Sequence, residues 1–193
     1  MTRDRHLILV KHAMPQVDVD TPAHLWRLRP EGAAAAGTLA LRLLARYQPS
    51  KVIASVEPKA TETGSIIAER LRLPFATAEG LHEHDRRAVG FLGREKFAAR
   101  IHDLFEQPDQ VVFGSESASD ALTRFATAVD RAIAEDDSGG GDVVVVSHGT
   151  VISLFVAMRS DVDGENLWAT LGLPSYVSLE LPNHRIVEVV ATL

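Results

Sequence analysis

The sequence predicts an α/β domain, a three-layer α/β/α sandwich with a mainly parallel central sheet and an antiparallel C-terminal edge. Three observations carry this. "HLILV" (6–10) and "DVVVVSHG" (142–149) open as continuous apolar runs, the pattern of strands covered on both faces. Each buried run leads toward a segment with helical periodicity, giving a βα rhythm. The tail "SYVSLELPNHRIVEVVAT" alternates instead and turns at Pro182-Asn183, as an antiparallel edge pair does. The length of 193 residues fits one domain spanning 1–193, with neither repeat nor linker.

The elements follow in order. "HLILV" is a central strand. Residues 30–47 form a helix, since Ala36, Leu39, Leu43 and Tyr47 share one face and Pro49 stops continuation. "KVIAS" (51–55) is the next strand, and Thr61 to Leu71 the next helix, with Ile66, Ile67 and Leu71 inward. Residues 80–93, "GLHEHDRRAVGFLG", show neither period and concentrate charge and imidazole, as a loop over a site would. Phe97, Ile101, Leu104 and Phe105 mark one amphipathic helix. Leu122, Phe125, Val129 and Ile133 mark a second, beginning near Ser117 or Ser119. "DSGGG" (137–141) is a flexible turn into the second buried strand, and "TVISLFVAM" returns to helix.

Composition narrows the function. A net charge of -6 argues against general affinity for nucleic acid or anionic membranes, so any anion site is local. The absence of cysteine rules out disulfides, thiolate nucleophiles and thiolate metal sites, which fits a cytoplasmic location. The N-terminal apolar run is too short for a signal-peptide core, and no stretch approaches the roughly 20 apolar residues of a membrane helix.

Three strand-to-helix junctions carry the chemistry: "VKHA" (10–13), "SVEPKATET" (55–63) and "VSHGT" (146–150). In open α/β sheets such junctions converge on one crevice, where helix N-termini present free amides. One strand-tip histidine alone is more often a satisfied core side chain. Two of them, His12 and His148, reverse that reading.

These motifs, in this order, resemble the histidine phosphatase superfamily, also called phosphoglycerate mutase-like. Its signature is a strand ending in Arg-His-Gly, then Ser-x-x-x-Arg-Ala-x-x-Thr, an acidic residue in a mid-chain loop, and a second strand ending in His-Gly. Lys11-His12-Ala13, Ser55 to Thr63 with Lys59 at the arginine position, Glu83 in "LHEHDR", and His148-Gly149 fill those slots. "WRLRPEGAAAA" (26–36) and "GSES" (114–117) are similar to two further family segments. The resemblance implies phosphomonoester or phosphohistidine hydrolysis through a phosphohistidine, with no cofactor and no metal. A small phosphorylated substrate or phosphoprotein is the expected partner, without nucleic acid or membrane. Mutase activity is disfavoured because the longer insertions of the larger mutases are missing.

Chemistry assigns the same residues. A neutral His12 imidazole can attack phosphorus. Lys11, Lys59, His148 and helix amides such as that of Gly149 supply positive charge for the equatorial oxygens. Neighbouring cations keep His12 unprotonated, and Glu83 is the candidate general acid, with His84 and Asp85 behind it.

The sequence departs from the pattern at both arginines, which are lysines here and lack the bidentate fork. Arg86 or Arg87 could restore one. Ala13 in place of glycine implies that φ is negative there or that the backbone need not approach the ligand as closely. Two alternatives stand beside this reading: a metallohydrolase using His82, His84 and Asp85, and a catalytically weak phospho-ligand binding module. Glu116 and Ser117 read better as a helix cap than as site residues. Trp26 and Trp168 read as core or rim packing, and Arg3, Arg5, His6, His24, His102 and His184 as surface.

Overall fold

A computed structural model describes residues 4–136 and 140–192. The elements run β1 (Arg5–Lys11), a 3-10 turn (Ala23–Leu25), α1 (Pro30–Arg46), β2 (Pro49–Ser55), α2 (Pro58–Leu71) and β3 (Phe75–Ala78). They continue through α3 (Arg94–Glu106), α4 (Ala118–Ala134), β4 (Asp142–Ser147), α5 (Gly149–Arg159), α6 (Gly164–Thr170), β5 (Ser175–Leu181) and β6 (Arg185–Val190). The sheet order is β3-β2-β4-β1-β5-β6. β3, β2, β4 and β1 pair in parallel, and β5 and β6 add the antiparallel edge.

Two cores flank the sheet because successive strand residues face opposite ways. Leu7, Leu9, Val143, Val145, Val177 and Leu179 belong to the core shared with α3 to α6. Ile8, Val10, Val52, Ala54, Val144, Val146 and Tyr176 belong to the core beneath α1 and α2. This double burial is why β1 and β4 read as unbroken apolar runs. Phe125 of α4 and Phe155 of α5 lock the first core edge to face, 5.7 Å apart.

The structure extends the sequence reading at several points. α2 begins at Pro58, three residues before the expected Thr61, because proline suits the first helical turn. Ser117 caps α4 in a capping box with Asp120. β3 and α6 were not foreseen: "FATA" is a four-residue, largely exposed edge strand, and α6 is under two turns long. Arg5 and His6 are pinned rather than free at the surface. Arg5 pairs with Asp136 at 2.6 Å, and the His6 amide donates to Asp142 Oδ1 at 2.8 Å. Arg3 and residues 137–139 of the expected turn lie outside the described residues. Among the described residues no helix is long and apolar enough to cross a membrane.

One close approach ties the fold to the loop after β1. Gly32, in the first turn of α1, faces the Met14 carbonyl, and a Cβ there would lie 2.1 Å from that oxygen. The obstacle is backbone, so it cannot swing aside. Gly32→Ala should therefore destabilise the protein by about 1–3 kcal/mol, the usual range for overpacking, measured by urea denaturation. Unchanged stability would show that the β1–α1 loop is free to shift.

Candidate active site

The site is built on the pairing of β1 with β4. Lys11 lies opposite Ser147, and the ladder continues one step as the His12 amide donates to the Ser147 carbonyl at 3.0 Å. His12 and His148 are thereby delivered side by side, with ring centroids 5.2 Å apart and both buried. The His12 Nδ1–H donates to the Ala13 carbonyl at 2.8 Å, which leaves the lone pair on Nε2. Ala13 lacks the positive φ that would demand glycine, and its amide donates to Thr63 Oγ1 at 3.0 Å. His148 Nε2 lies 2.9 Å from Ser55 Oγ, and its Nδ1 is buried without a hydrogen-bond partner among the described residues.

Both imidazoles are neutral at pH 7. Burial, followed by the Lys59 ammonium, lowers the pKa of His12 to about 3. The same two causes push His148 well below its ordinary range. The direction matches the sequence expectation for His12, with desolvation outweighing the cations.

The lysines are placed differently from each other. Lys11 follows Leu7 and Leu9 on the face of α5 and α6, whereas His12 follows Ile8 and Val10. Its Nζ donates to the Leu171 carbonyl at 2.6 Å, and its stem crosses Gly149, where an added Cβ would meet Lys11 Cε at 3.1 Å. Gly149 lets the lysine stem pass close to its backbone, and its amide opens α5. Burial lowers the pKa of Lys11, with Glu83 opposing. Lys59 enters from the first turn of α2. It donates to the Ala23 carbonyl at 2.8 Å and to Glu57 Oε2 at 2.5 Å, the paired side chains being only 8% and 10% exposed. Removing one member of a pair so buried costs about 3–5 kcal/mol, far more than a surface pair is worth.

Glu83 sits over the start of α5. Its Oε2 accepts from the Thr150 amide and hydroxyl at 3.3 and 3.2 Å and faces Arg86 Nη2 at 3.2 Å. Burial opposes its ionisation, but the Arg86 guanidinium and the His84 amide outweigh burial and hold its pKa at about 2. Glu83 is therefore a carboxylate at neutral pH. Arg86 lies inside the site, its guanidinium 4.7 Å above the Phe97 ring, with Nη1 buried and unpartnered among the described residues. Arg87 turns outward to Asp85 at 2.6 Å. Of the two candidate forks, the structure places Arg86 beside the Glu83 carboxylate.

The proposed metal ligands do not converge. The His84 ring packs on Phe113 and its Nε2 meets the Glu116 carbonyl at 2.9 Å, while Asp85 pairs with Arg87. No group of three His, Asp or Glu among the described residues is placed to hold a metal. Glu116 and Arg124 instead brace this loop. Arg124 donates to the carbonyls of Gly80, His82 and Glu83, and Glu116 accepts from the Asp85 amide at 2.6 Å. Gly114, at φ +82°, lets "GSES" lie against the Asp85 carbonyl. The residue the sequence reading missed is Glu57, whose Oε1 accepts the Glu83 amide at 3.0 Å and whose Oε2 lies 3.8 Å from His148 Nδ1.

The fold and its paired imidazoles place the chain among α/β/α proteins whose site lies at the carboxyl edge of a mainly parallel sheet. The histidine phosphatase superfamily (branch 1) matches residues 7–191, and the chain belongs to that superfamily. No curated protein matches the sequence significantly. Mycobacterial glucosyl-3-phosphoglycerate phosphatase Rv2419c, solved with VO3, superposes with a TM-score of 0.77 at 21% identity, covering 98% of this chain and 100% of that one. Bacillus stearothermophilus YhfR gives 0.75 at 21%, covering 97% and 96%. The α-ribazole phosphatase of Shigella flexneri gives 0.72 at 19%, also covering 97% and 96%. At these identities the likeness is one of fold. Membership of the histidine phosphatase superfamily supports phosphatase activity.

The depressed pKa of His12 makes stability depend on pH. The unfolded chain takes up this proton near pH 6.5 and the folded chain only near 3, so stability falls as pH drops through that window. His12→Gln should lose roughly 2 kcal/mol less than the wild type between pH 7 and pH 4.5, measured by urea denaturation. Equal losses would mean that His12 is not held neutral.

Proposed function

We propose that the protein is a metal-independent phosphatase that hydrolyses a phosphomonoester, or a phosphohistidine, through a phosphohistidine on His12. The observation that carries this is the pair of buried, neutral imidazoles 5.2 Å apart, in a site where Arg86, on the Glu83 carboxylate, keeps an Nη1 with no hydrogen-bond partner among the described residues.

The His12 Nε2 lone pair attacks phosphorus as the ester P–O bond breaks, and the leaving oxygen takes a proton from Glu83. Water then attacks phosphorus and gives its proton to the Glu83 carboxylate as the P–N bond breaks, returning the lone pair to Nε2. Arg86, Lys59, His148 and the Gly149 amide at the start of α5 cradle the equatorial oxygens, with Lys11 adding charge from behind the sheet tip. Arg86 supplies the planar fork that Lys11 and Lys59 lack. Glu83 is ionised before substrate binds and gains its proton with the substrate. A phosphate dianion adds negative charge nearby and draws Arg86 away, and both effects raise the carboxyl pKa.

A second reading, a phospho-ligand binding module with weak turnover, draws on the prior engagement of both lysines by Leu171 and Glu57. Kinetics separate the two. Wild-type protein should hydrolyse p-nitrophenyl phosphate fully after exhaustive chelation, and His12→Ala should lose roughly 10⁴-fold or more while staying folded. Glu83→Gln should slow alkyl phosphates by roughly 10²–10⁴-fold and nitrophenyl phosphate far less. Activity retained by His12→Ala would overturn the mechanism, loss on chelation would favour the metallohydrolase, and phosphate binding without hydrolysis would favour the binding module.

A further inference from the structure

Glu57 stands at the start of α2, in the slot two residues before Lys59, and is buried. Its carboxylate is the hub of the site: Oε2 holds the Lys59 ammonium at 2.5 Å and lies 3.8 Å from His148 Nδ1, while Oε1 accepts from the Glu83 amide. The hydroxyl of Ser55 accepts from the Glu57 amide at 3.2 Å and lies 2.9 Å from His148 Nε2. With the hydroxyl proton directed to that nitrogen, the imidazole proton resides on Nδ1, on the side of the Glu57 carboxylate. That Nδ1 is buried and makes no hydrogen bond to the described residues. Lys59 likewise spends two of its three donors, on Ala23 and Glu57.

We propose that Glu57 is a positioning residue that acts as a resident anion. It holds the Lys59 ammonium and faces the His148 Nδ1 proton before substrate binds, and yields both to the phosphoryl oxygens when substrate enters. Its charge opposes bound phosphate throughout, so it loosens the grip on product. This rests on the phosphoryl-binding reading above and adds to it a carboxylate that competes with the anion. Lys59 and Arg86 stand against Glu57 and Glu83, so removing the Glu57 charge leaves two cations facing one carboxylate.

The test is calorimetric binding of inorganic phosphate, read apart from turnover. Glu57→Gln keeps the shape and an acceptor for the Glu83 amide, and should bind phosphate about tenfold or more tightly, with kcat lowered by slow product release. A merely structural residue would weaken binding when replaced. Lys59→Gln leaves Glu57 facing the anion and should weaken binding by a similar factor, and the Glu57→Gln/Lys59→Gln pair should return toward the wild-type value. Should Glu57→Gln not fold, comparing Lys59→Gln with the double variant still isolates the carboxylate, since both buried charges then leave together. Unchanged or weaker phosphate binding on loss of Glu57, in either background, overturns this proposal while leaving His12 chemistry intact. Failure of the wild type to bind phosphate at all would overturn the phosphoryl-site reading itself.

Discussion

The parallel pairing of β1 with β4 is the constraint on which the site depends. Their register sets Lys11 opposite Ser147, so each strand ends at the same height and delivers its next residue, His12 or His148, to the same point. A slip of one residue would send one imidazole to the far face of the sheet. The double burial of Leu7 to Val10 and Val143 to Val146 prevents that slip, because every alternative register would displace side chains from both cores at once. Stability and site geometry thus share one cause.

Around these two tips the protein buries charge on a scale that only mutual compensation permits. Lys59 is neutralised by Glu57 and Arg86 by Glu83, and the Glu57 and Glu83 carboxylates are linked through the Glu83 amide. The imidazoles, left uncharged, are the uncompensated members, and desolvation keeps them so. The loop that brings Glu83 and Arg86 has no regular structure of its own. It is fastened to α4 through Arg124 and to "GSES" through Glu116, so the polar bracing of a distant helix sets the position of the acid and the fork.

Much of this was legible in the residues. The two apolar runs announced central strands, the alternating tail announced the antiparallel edge, and the order of histidines and acidic loop carried the family resemblance, now shown by the match over 7–191. The strand period also held information that the motif reading passed over: Lys11 shares parity with Leu7 and Leu9, which sends it to the α5–α6 face, away from His12. Other features left no local trace. Glu57 precedes a proline at a helix start, a position where a glutamate reads as an ordinary cap, and only the folded chain brings Glu83 and His148 to it. Arg124 lies on a helix about forty residues from the loop it braces, among polar residues of an amphipathic pattern. β3 escaped because a short exposed edge strand needs no apolar run.

The central claim is that His12 carries the phosphoryl group. Turnover of a ³²P-labelled phosphomonoester, quenched in alkali and followed by peptide mapping, tests it directly, since phosphohistidine survives alkali and is lost in acid. The structure predicts acid-labile label confined to the peptide containing His12 and absent from His12→Ala. Hydrolysis by the wild type with no trapped label, or label on another residue, would contradict it.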